Sequence, residues 1–249
     1  MNNDYTSLEL FHFVGHQDPT NHEANYETLK NILRSKCITY SPHDLSWGPV
    51  EHKIEWDRSI LDESLVVPTI TCYADIPKNA LGVHMKKYGY FGVSLERQYL
   101  VRFHARPVTY IPIYRSDDLG ISGRTLIRDI ESAVKGFYEY YLKTEENSEE
   151  AYSRGLASFP DNANESLSVL ESTLLKDFIG FIKPFNSEIN IEDPDNYYME
   201  REWRKLGNIK FEEQFVCTVV ILCGYESDFL REFSQYKGRL EVVNVNEST

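Results

Sequence analysis

Apolar residues return along this chain with two spacings, a period of two that marks half-buried strands and a period near 3.6 that marks helices. Residues 8–14, Leu-Glu-Leu-Phe-His-Phe-Val, read as an opening strand with His12 at its middle. The polar, turn-rich residues 15–25 follow as a loop. Tyr26, Leu29, Ile32 and Leu33 then fall at helical spacing, with Asn25 as the candidate N-cap and Arg34 and Lys36 toward the C-terminal end, where cations suit the helix dipole. Residues 41–64, with Trp47 and Trp56, form an irregular excursion before strand-type residues resume over 65–73 and stop at Asp75-Ile76-Pro77.

A helix is predicted over 78–87, carrying Leu81, His84 and Met85, and it leads through Tyr88-Gly89-Tyr90-Phe91-Gly92 into a strand at 93–95. Another strand is expected over 108–114. Helical patterns occupy 126–142 and 167–182, separated by an acidic, Ser- and Asn-rich surface loop over 145–164. The last third returns to strands at 202–205 and 214–224, a short helix at 229–236, and a final strand at 240–245, with residues 246–249 frayed. No repeat or linker divides the pattern. The expectation is a single α+β domain over 1–249, with a mixed, mostly antiparallel central sheet, flanking helices and a helical insertion around 124–183.

Composition agrees with an ordered globular protein, because 17 Tyr and 13 Phe in 249 residues give enough aromatic surface for a substantial core. The net charge of −13 argues against general nucleic-acid binding, which needs a basic stripe to displace counterions. It leaves room for a local basic pocket at Lys86 and Lys87, or along Arg97, Arg102 and Arg106. No apolar run approaches the roughly 18–20 residues that span a bilayer, and the N-terminal residues lack a secretion signal, so a cytoplasmic protein is expected. Cys37, Cys72, Cys217 and Cys223 form no C-x-x-C pair and read as buried free thiols. Among the seven histidines none forms a helical i, i+4 pair, and compositional hints such as His43-Asp44 do not amount to a metal site. Gly-rich phosphate loops and the G-x-S-x-G nucleophile signature are absent.

The strongest chemical candidate is the run Tyr198-Met199-Glu200-Arg201-Glu202-Trp203-Arg204. If it is extended, Glu200, Glu202 and Arg204 share one face, while Arg201 and Trp203 share the other. Two carboxylates beside a guanidinium can hold a poised acid, base or hydroxyl acceptor. An edge strand laced with ion pairs has the same composition, and His12, centred in an apolar strand, equally suits a packed, hydrogen-bonded core residue.

The order of these features is similar to that of ADP-ribosyltransferase-like folds: a strand His, a helix of Asn/Thr-x-x-Ile-Leu type, aromatic-Gly pairs, and a late strand bearing Glu. That resemblance implies NAD as cofactor, with His12, Tyr88 or Tyr90, and Arg204 in its binding site. Glu202 would stabilise the cationic ribose as nicotinamide leaves, and Glu200 would orient an acceptor. A second resemblance covers residues 8 to about 206, to the AbiGi proteins of bacterial abortive infection. Its pieces are Leu10-Phe11-His12-Phe13, Leu29-Lys30-Asn31-Ile32-Leu33, Val67-Pro68, Tyr73-Ala74-Asp75-Ile76-Pro77, His84 with Tyr88-Gly89-Tyr90-Phe91-Gly92-Val93, Phe181-Ile182-Lys183-Pro184 and Arg201-Glu202-Trp203-Arg204. It implies an antitoxin that works chiefly by binding a cognate toxin, on an ADP-ribosyltransferase-like scaffold. Val14 stands where a hydroxyl residue commonly follows the His-Phe pair, which ranks partner binding ahead of an active transferase or NAD hydrolase.

Overall fold

The computed structural model describes residues 7–40, 52–77, 80–113, 121–146, 173–190, 193 and 196–245, so the stretches around Trp47 and over 147–172 lie outside the described residues, as do 246–249; the surface loop expected over 145–164 falls there except for its first two residues, which are helical. The chain divides into two compact units, one made of Met1–Glu51, Thr69–Val108 and Ile189–Thr249, the other of His52–Pro68 and Thr109–Glu188.

The first unit is built on a seven-stranded sheet. Its strands run across in the order β13 (Arg239–Val243), β12 (Val216–Leu222), β6 (Gly92–Glu96), β1 (Glu9–Phe13), β5 (Ile70–Ala74), β10 (Glu202–Leu206) and β7 (Arg106–Pro107). Every pairing is antiparallel except β12 with β13, which is parallel. The α+β class with a mostly antiparallel sheet is therefore the observed one. A small ladder joins β2 (Cys37–Ile38) to β11 (Ile209–Lys210). Helix α1 (His22–Ser35) buries Tyr26, Leu29 and Ile32, α2 (Leu81–Tyr88) buries Leu81 and Met85, and both join Phe11, Phe91, Val93, Val219 and Phe229 in one core. Short α3 (Arg97–Arg102), which the hydrophobic pattern did not reveal, follows β6 directly and buries Tyr99 and Leu100.

Helix α1 starts earlier than its apolar spacing implied. Asn21 is the N-cap, its side chain accepting from the Ala24 amide at 3.2 Å, and Glu23 sits in the first turn. Asn25 lies inside the helix, buried, where its side-chain amide donates to the Asp18 carbonyl at 2.9 Å and ties down the preceding loop. Gly15 is required by that closure. A Cβ there would stand 2.5 Å from the Tyr88 carbonyl oxygen and 3.0 Å from the Gly89 Cα.

The second unit has its own apolar core. Parallel strands β8 (Thr109–Ile113) and β9 (Ile182–Asn186) and the hairpin pair β3 (His52–Ile54) and β4 (Val66–Pro68) contribute Ile111, Ile182 and Val66, with Leu65 from just before β4 and Ile127 and Val134 from the long helix α4 (Ile121–Glu146). At Gly123 the α4 backbone presses on β8, leaving no room for a Cβ against the Pro112 carbonyl. Glu131 closes the 59–60 turn, accepting from Ser59 Oγ at 2.8 Å, the Ile60 amide at 3.1 Å and Lys135 Nζ at 2.7 Å.

Several predicted boundaries move for identifiable reasons. The strand expected over 65–73 becomes β4 and β5, because Pro68 pairs with His52 while Ile70 pairs with Leu206. The described part of the helical stretch 167–182 is one π-helical turn at Thr173–Phe178 and a 3-10 turn at Ile179–Phe181; Ile182 then opens β9. The short C-terminal helix is α5 (Glu226–Glu232), one turn earlier than its Phe and Tyr residues indicated. Of the four thiols expected to be buried, only Cys37 is fully so; Cys217 is half-buried, and Cys72 and Cys223 are exposed.

A buried carboxylate joins the strands on the β13 side of the sheet. Glu9 on β1 is buried and accepts from Ser94 Oγ on β6 at 2.5 Å and Thr218 Oγ1 on β12 at 2.8 Å, with Arg239 Nη1 on β13 at 3.5 Å. Four adjacent strands thus share one anion. Hydrogen bonds to a charged group contribute about 1.5–3 kcal/mol each, and donors left unmatched in the interior carry a desolvation cost. Replacing Glu9 by Leu is expected to lower the free energy of unfolding by about 3 kcal/mol. Urea denaturation checks this, and an unchanged midpoint would show that the four strands do not depend on it.

Candidate functional site

The charged run at 198–204 does not form one extended strand. Residues Tyr197–Glu200 make a 3-10 turn, Arg201 adopts the left-handed conformation at φ 43° and ψ 54°, and β10 begins only at Glu202. A non-glycine residue pays about 1–2 kcal/mol for that backbone. The surroundings hold it there: the Arg201 carbonyl accepts from the Asp75 amide at 3.3 Å, and its Nη2 lies 2.8 Å from Asp75 Oδ2.

This kink corrects the expected alignment of Glu200, Glu202 and Arg204. Glu202 and Arg204 do share a face of β10 and form a buried pair, Nε to Oε1 at 2.7 Å, with both side chains 7% exposed. Glu200 turns away to α2, where its Oε1 accepts from Tyr88 Oη at 2.8 Å and pairs with Lys87 Nζ at 3.1 Å. Tyr88 also lies against the His84 ring, centroids 4.4 Å apart, and near His16 at 5.6 Å. Of the expected face, Glu202 and Arg204 come together, while the contact of Glu200 with Tyr88 was not anticipated.

The expected grouping of His12 with Glu202 does not form. Phe11 stands opposite Ala74, and Ala74 stands opposite Glu202. Residues opposed across antiparallel strands share a face, so Phe11, Ala74 and Glu202 project one way, and His12, the next residue along β1, projects the other. The ring contacts agree: His12 lies 5.8 Å from Tyr73, the residue opposite Trp203. Tyr90 is elsewhere again, buried with its ring edge-on to His22 at 5.7 Å. The ribose-holding His, the stacking aromatic and the late Glu expected from the transferase resemblance thus have no common cleft.

His12 Nδ1 donates to the Cys72 carbonyl at 2.9 Å, which fixes the proton on that nitrogen. Burial lowers the His12 pKa, and this hydrogen bond opposes the shift only in part. Another carboxylate at the kink, Asp75, was legible only as a strand stop. Asp75 is buried between Arg97 Nη2 at 2.7 Å and Arg201 Nη2 at 2.8 Å, and it accepts from the Ser7 amide at 3.3 Å, while Arg97 packs over the Trp203 ring at 5.4 Å. Neither expected basic pocket stands free of anions, since Arg97 is held by Asp75 and Lys87 by Glu200. Among the described residues no three His, Cys, Asp or Glu side chains converge as metal ligands, and no helix is long and apolar enough to cross a membrane.

The class these features define is an α+β protein in which the acidic stretch is consumed by ion pairs that tie strand ends and a helix together. A family model described as "Putative abortive phage resistance protein AbiGi, antitoxin" matches residues 64–241, and the chain belongs to that family. Tyr88, Tyr90, Glu200, Glu202 and Arg204 lie within the matched segment, and His12 precedes it. No curated protein and no solved structure matches the chain.

The lowered His12 pKa has a signed consequence. The folded state binds this proton more weakly than the unfolded chain, so the His12 contribution to stability is complete above the ordinary pKa of about 6.5 and is lost as pH falls through the folded value. Thermal midpoints across acid to neutral pH are expected to fall more steeply for the native chain than for His12→Gln. Parallel curves would contradict the lowered pKa of this imidazole.

Proposed function

We propose that the chain is the antitoxin of an abortive-infection pair and acts in the cytoplasm chiefly by binding a cognate toxin. The observation that carries this reading is its family membership over residues 64–241. The disposition of the charged residues supports it, because Glu200, Glu202, Asp75 and Glu9 each serve a partner inside the fold. A net charge of −13 gives such a protein a means of recognising a basic surface on a toxin and of accelerating encounter at low salt.

Co-expression with the product of the neighbouring gene tests the proposal. A complex is expected to co-purify, with an association rate that falls steeply as ionic strength rises. Absence of a complex at every ionic strength would remove the antitoxin reading.

A further inference from the structure

The two edges of the seven-stranded sheet differ. At one end β7 has two residues, one of them Pro107, which blunts that edge against pairing. At the other end β13 has five residues, Arg-Leu-Glu-Val-Val, without proline, and among the described residues no strand pairs with its outer side. Val242 is 37% exposed and Val245, just beyond the strand, 50%.

The direction of the β13 hydrogen-bonding groups follows from its pairing. The Val243 carbonyl accepts from the Cys223 amide, which continues the line of β12, so the amide and carbonyl of Val243 face inward. Peptide groups alternate along a strand, which turns those of Glu241 and Arg239 inward too and those of Leu240 and Val242 outward. The outer edge is therefore an unblocked template centred on Leu240.

We propose that this edge pairs antiparallel with the same edge of a second copy of the chain, on a two-fold axis at Leu240, to give a continuous sheet through a homodimer. The charge pattern selects both occupant and register. With Leu240 opposite its own copy as a hydrogen-bonded pair, Arg239 stands opposite Glu241 of the other copy and Glu241 opposite Arg239, each in the closer, non-hydrogen-bonded position where side chains interact best. Centring the axis on Glu241 instead places like charges together. Arg239 can serve both roles, because its side chain is 53% exposed and its contact with Glu9, at 3.5 Å, uses one of five donors. A five-residue edge buries less than the area of a tight complex, so the dimer is weak and concentration-dependent. It requires nothing of the toxin-binding surface and is independent of the antitoxin reading.

Sedimentation of the full chain over a dilution series tests the proposal. The native protein is expected to move from 29.0 kDa toward twice that mass as concentration rises. Glu241→Arg and Arg239→Glu should each weaken the dimer about tenfold or more, since each sets like charges opposite one another twice. An equimolar mixture of the two variants should dimerise again, because every cross-strand pair is then Arg with Glu. Val242→Pro removes an outward amide without touching the β12 ladder, and it should give a folded monomer even if Arg239→Glu, beside Glu9, does not fold. A native protein that stays monomeric throughout overturns the proposal, as does a dimer unaffected by both Glu241→Arg and Val242→Pro.

Discussion

The structure of the first unit depends on the register that aligns Phe11, Ala74 and Glu202 in one row across β1, β5 and β10. Because side chains alternate with period two, a one-residue slip would exchange the faces of every residue on a strand. It would turn Phe11 and Ala74 out of the core, and it would unpair Glu202 from the environment in which it meets Arg204. The same constraint separates His12 on the central strand from Glu202, two strands away in the same sheet.

Buried charge in this fold works as fastening. Glu9 is shared by four strands, Asp75 joins the β5 end to α3 and to the kink at Arg201, and Glu200 ties that kink to α2. Each carboxylate satisfies donors from elements distant in sequence. Such groups add modest net stability when complete and cost several kcal/mol when one partner is removed, which makes them better at selecting one arrangement than at strengthening it. The interior ion pairs thus define one arrangement of strand ends, kink and helix.

Much of the architecture was legible in the chain. The alternation in Leu-Glu-Leu-Phe-His-Phe marks β1, the run Val-Cys-Thr-Val-Val-Ile-Leu marks β12, and the spacing of Tyr26, Leu29 and Ile32 marks α1. The site was less legible because its geometry turns on features with no periodic signature. The left-handed Arg201 breaks an apparently extended run, and nothing in the local pattern distinguishes it from its neighbours. Glu9 resembles the solvent-facing member of an alternating strand, yet Ser94 and Thr218 from strands far along the chain meet it in the interior. Asp75 carries a Pro two residues later and reads as a turn, while its two arginines arrive from positions 97 and 201.

A double-mutant cycle on Glu202 and Arg204 tests most directly the claim that the acidic stretch is structural. Alanine at either position alone should cost about 3–5 kcal/mol of unfolding free energy, and both together much less than the sum, leaving a coupling energy of about 2 kcal/mol or more. Additive losses, or a Glu202→Ala chain as stable as the native one, would contradict the account.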